Sequence, residues 1–176
     1  MCDFVTLIVP SADARAVDAV MRAHGRRAEP LENACVANVL RADERQYVTT
    51  VGSCDCGTVL GSNVAPSEPN AEKELASLRR KGWSEAKIAR ALGERRKSEE
   101  RPRGGGGDSL ELWSAAIRDL RRQLGLDRIG LLVHLYSGRL DDEVFSVTRR
   151  QTDAALTLNE QLARMRSDEA TFFVAP

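Results

Sequence analysis

Neither sign of charge is in surplus, and no apolar run is long enough to span a bilayer. With 26 basic and 26 acidic side chains in 176 residues, the whole chain has no long-range field to draw nucleic acid or anionic lipid. Binding of that kind has to be local. Basic residues are missing ahead of the first apolar run, 4–9, and that run is too short for a secretory h-region. The setting expected is therefore cytoplasmic. There the few cysteines, four in all, read as free thiols or metal ligands sooner than as structural disulfides.

With 42% apolar residues the chain can build a real core, and its length suits one domain. Residues 4–9 are a β-branched strand ended by Pro10, and Ala16, Val17, Val20 and Met21 recur at helical spacing before Gly25. Residues 33–40 and 46–52 alternate across a polar turn and predict a hairpin. Residues 53–62 and 63–70, the latter with Pro66 and Pro69, read as loop.

Residues 71–100 carry helical patterns and all four lysines; 71–103 hold 11 basic against 6 acidic side chains, an excess of +5. The glycine-rich stretch 101–108 follows as a linker, so 71–100 is expected to be a basic helical insertion in a single domain, 1–176. Beyond it, Leu112, Trp113, Ala116, Ile117, Leu120 and Leu124 form an apolar stripe capped by Asp108 or Ser109. A strand at 129–136, a second at 143–149 able to pair with it, a helix at 158–165 and a strand at 171–174 complete the pattern. The order predicts an α+β protein with a largely antiparallel sheet, a split β-α-β-β start and helices mainly on one face.

In the split arrangement the third strand lies between the first two and runs antiparallel to both. The start of the first strand then faces the end of the third, bringing Cys2 to Cys54 and Cys56, with Cys35 near the start of the second strand. Thiolates hold zinc, so Cys2, Cys35, Cys54 and Cys56 are the candidate metal ligands, with His24 as a substitute for Cys35. Cys54 and Cys56 point to one side of an extended chain, but a single intervening residue is closer than the usual zinc-ligand spacing. The same pair could form a strained disulfide or supply a reactive thiol, and Cys35 is equally readable as a small buried hydrophobe.

If Met1 is removed, the Cys2 amine and thiol become a chelating pair or an N-terminal nucleophile. The Met-Cys start is shared with class II glutamine amidotransferases and with proteins that crosslink abasic DNA. Those continue with glycine where Asp3 stands here, and nothing else of their patterns follows.

Residues 82–93, Gly-Trp-Ser-Glu-Ala-Lys-Ile-Ala-Arg-Ala-Leu-Gly, resemble the middle of a helix-turn-helix, which implies DNA contact. The following residues 94–101 have no apolar side with which a recognition helix would dock. Residues 72–97 are thus a candidate surface for a protein or for weak nucleic-acid binding, or simply a solvated helix pair. His134 and Tyr136 share a strand face and could form an acid/base pair if Glu143 or Asp142 approached the imidazole; a histidine satisfied within the core is the plainer reading. The glycines near 57–61 match neither a P-loop nor a dinucleotide fingerprint.

Overall fold

A computed structural model of the chain describes residues 2–61, 65–66, 75–76, 78–80, 82–90, 93 and 108–174. All but the last residue of the linker expected at 101–108, much of the basic segment and Met1 lie outside the described residues.

The protein is α+β. Its elements are β1 (Cys2–Val9), α1 (Ala14–Ala23), β2 (Arg27–Leu31), α2 (Ala34–Ala37), β3 (Arg45–Thr50), β4 (Ala65–Pro66), α3 (Leu110–Leu124), β5 (Arg128–Tyr136), β6 (Thr148–Gln151), α4 (Leu158–Ala163), β7 (Arg166–Ser167) and β8 (Glu169–Val174). β3 lies between β2 and β1 and pairs antiparallel with each, the split start expected from the order of elements. β1 also pairs antiparallel with β5, Cys2 opposite Tyr136 and Phe4 opposite His134. β8 takes the other edge of β5 antiparallel over residues 128–131, and β7 meets it in parallel at Val133.

The sheet has a core on each side. Val5, Leu7 and Val9 alternate along β1 onto the face covered by α1, α3 and α4, where Trp113, Ile117 and Leu120 are buried. Ile8 points the other way, into a smaller cluster with Val36, Leu132 and Phe172 that Phe145 and Val147 cover. Among the described residues no helix is long and apolar enough to cross a membrane.

Three expectations are corrected. Residues 33–40 do not form a strand: Asn33 Oδ1 accepts the backbone N–H groups of Cys35 (2.9 Å) and Val36 (3.2 Å), an N-cap that starts α2. The second strand is Arg27–Leu31 instead, and Pro30 within it suits a strand at the sheet edge. Residues 143–149 do not pair with β5 either; β6 begins at Thr148 and runs parallel to β8. Residues 65–66, read as loop, form the short strand β4 beside β7.

Candidate functional site

After β3 the chain turns back and lies along the start of β1. The Asp55 N–H donates to the Asp3 carbonyl (2.8 Å), the Val5 N–H donates to Asp55 Oδ2 (2.8 Å), and the Asp3 N–H donates to Cys56 Sγ (3.2 Å). Asp55 is fully buried against Arg26, and the thiols of Cys54 and Cys56 on either side of it gather with that of Cys2. Gly57 follows at φ +88°, a left-handed turn for which glycine has no steric cost. The Sγ atoms of Cys2, Cys54 and Cys56 lie within 4.8 Å of one another. All three are free thiols, as is Cys35.

This loop is held by charge. Arg26, fully buried, donates to Asp55 Oδ1, to Asp108 Oδ1 (3.2 Å) and to the Thr49 carbonyl (3.4 Å), and its guanidinium stacks 4.3 Å above the Trp113 ring. Burial pushes the Asp55 carboxyl up, and Arg26 opposes that shift. Asp108, expected as a helix cap, uses its carboxylate on Arg26 and the Val59 N–H (2.8 Å), while Ser109 caps α3. Nothing in the local pattern marks Arg26 or Asp108 as partners of a residue between two cysteines.

Burial raises the Cys56 thiol to about 12, with Cys54 and the Asp3 carboxylate adding to the shift and the Asp3 N–H opposing it. The residue as a whole is exposed, but its sulfur faces inward onto the Asp3 backbone. A thiol so placed stays protonated at neutral pH and is a poor nucleophile. A bound cation is what would draw its proton off.

Cys35 is elsewhere. Its Sγ accepts the Phe145 N–H (3.4 Å) in the first turn of α2, and the cysteine group does not include it. The reason is the corrected second strand, which moves residue 35 beyond the strand whose start it was expected to mark. His24 ends α1 with Nε2 3.0 Å from Asp119 Oδ2 and is not in the group either.

On the face opposite the helices, His134 Nδ1 hydrogen-bonds the Asp168 carboxylate and its ring stacks on Phe145 at 3.5 Å. The partner is Asp168, not Glu143 or Asp142. Glu143 accepts from Ser137 Oγ (2.7 Å), and Arg139 takes Asp141 (2.7 Å) and Asp142 (3.2 Å) at the surface. Asp168 has φ +61°, the joint between β7 and β8, and its N–H donates to the Val133 carbonyl (2.9 Å), which brings its side chain to His134. His134 Nε2 is buried with no hydrogen-bond partner among the described residues, and the buried Tyr136 hydroxyl faces the Thr6 side chain. In the basic segment, Lys87 sits 4.0 Å over the Trp83 ring and Arg79 pairs with Glu85 (2.7 Å).

Comparison with protein-family models, with curated proteins and with solved structures gives no match.

Proposed function

We propose that the protein binds a thiophilic metal ion of the zinc type through Cys2, Cys54 and Cys56. The observation that supports this reading is the convergence, within 4.8 Å, of three free thiols from the start of β1 and from the loop that follows β3. In a tetrahedral site with zinc–sulfur bonds of about 2.3 Å, sulfurs stand about 3.8 Å apart, so small side-chain rotations suffice to close on an ion. The buried Arg26–Asp55–Asp108 set fixes the loop before any ion arrives, which limits the ordering cost of binding. Because burial raises the Cys56 thiol, an ion has to displace its proton, so uptake releases protons and strengthens as pH rises.

The test is bound metal and thermal unfolding measured together on protein prepared without chelator. At a free-ion concentration one hundred times the Kd, binding adds about 2.7 kcal/mol, or roughly 5–10 °C in Tm for a chain of this size. Cys2→Ser, Cys54→Ser and Cys56→Ser should lose both the ion and that increment, whereas Cys35→Ser should keep the ion. A wild-type protein that takes up no thiophilic ion, with unchanged Tm in Cys54→Ser and Cys56→Ser, removes the reading.

A further inference from the structure

The donor set sets the kind of ion. Three sulfurs converge, and among the described residues no other histidine, cysteine, aspartate or glutamate joins them at that spacing. A structural zinc site takes four protein donors. Charge points the same way. Three thiolates around a divalent ion leave a surplus negative charge, and around a monovalent ion they leave two. Among the described residues, the one guanidinium beneath the loop, Arg26, faces two carboxylates, Asp55 and Asp108. A half-buried site beside that much negative charge is cheapest when the complex is neutral.

We infer that Cys2, Cys54 and Cys56 form a three-coordinate site for a trivalent thiophilic ion of the arsenite class. This rests on the three-thiol binding reading above and puts a trivalent ion in place of the zinc-type one. Arsenite is uncharged arsenous acid at neutral pH. It condenses with three thiols: each As–OH bond is replaced by an As–S bond, each thiol proton leaves with a hydroxide as water, and three waters are released with no change in oxidation state. The product carries no net charge, needs no fourth donor and sheds no protons to bulk solvent. Cys35, bound to the Phe145 N–H in α2, takes no part.

The experiment adds sodium arsenite to the reduced full-length chain and counts free thiols and bound arsenic, with zinc chloride and cobalt(II) chloride in parallel. One arsenic per chain should bind and remove three of the four thiols, leaving Cys35 as the one that still reacts. Cys35→Ser should bind as the wild type does. Cys2→Ser should weaken binding by more than the roughly 10- to 100-fold that even changes outside the donor set cost at metal sites. Zinc that binds the same three cysteines and is not displaced by arsenite, with a tetrahedral cobalt spectrum, overturns the trivalent assignment and leaves the metal reading intact. Failure of all three ions to protect any thiol overturns both. Arsenic held by only two thiols, unchanged in Cys2→Ser, overturns the three-coordinate site.

Discussion

Asp55 is where the cysteine site meets the core. Its carboxylate has no solvent to fall back on, so Arg26 is the group that makes its burial tolerable. Arg26→Ala should cost about 3–5 kcal/mol, the usual penalty for leaving one member of a buried pair unmatched, and the loss should appear in urea unfolding at neutral pH. A cost below about 1 kcal/mol would mean that the pair does not hold the loop. Gly61 tests the same loop through sterics. A Cβ there would run into the Asp55 carbonyl, which already accepts the Thr58 N–H (3.0 Å) and hydroxyl (2.8 Å), whereas a Cβ at Gly52 meets nothing. Gly61→Ala should destabilise by about 1–3 kcal/mol and Gly52→Ala by less than about 0.5 kcal/mol. Equal stability of the two variants would show that the loop relaxes freely around residue 61.

At the scale of elements, Glu44 joins three of them. Its buried carboxylate, just before β3, accepts Arg128 from β5 (2.9 Å), Arg149 from β6 (2.7 Å) and the Arg41 N–H (2.8 Å). Burial alone would raise its pKa. The Arg149, Arg41 and Arg128 hydrogen bonds prevail and hold it at about 2, against 4.5 for an unperturbed glutamate. Because the folded value is the lower one, the contribution to stability is present above the unfolded pKa and is lost as pH falls from about 4.5 towards 2, with about 3 kcal/mol at stake. Urea midpoints measured from neutral pH down to pH 2.5 should fall more steeply for wild type than for Glu44→Gln; parallel profiles would contradict the assignment. Periodicity made β1, α1, β3, α3, β5, α4 and β8 readable, because each buries one regular face. It failed at Asn33, where one side-chain cap turned an alternating run into a helix, and at Arg27–Leu31, an edge strand with a proline and no clear period. It failed again at β6, because the edge of β5 is taken by β7 and β8 from the end of the chain, a pairing that no local pattern encodes.

Across the whole molecule, the candidate site was readable to the extent that topology was: the split start carried Cys2 to Cys54 and Cys56, and the misplaced second strand lost Cys35. The Asp168–His134 pair was not readable, since it depends on a left-handed joint between two strands 34 residues beyond the histidine. The same scale bears on the basic segment. Both hydrophobic clusters of the body draw their buried members from residues 5–60 and 113–173. Leu78 and Ile88 are buried, yet belong to neither cluster. The β1–β5 ladder likewise joins residues on either side of the segment and uses none within it. Trypsin should therefore cleave between Arg79 and Arg103 well before it reaches Arg118 or Arg121 of α3, and the two large fragments should stay associated through that ladder. The nicked protein should keep the thiol count of the intact chain, while its unfolding midpoint falls and becomes dependent on protein concentration, because the two fragments separate on unfolding. Cleavage in α3 at a comparable rate, or separation of the fragments without denaturant, would show that the segment is part of what holds the body together.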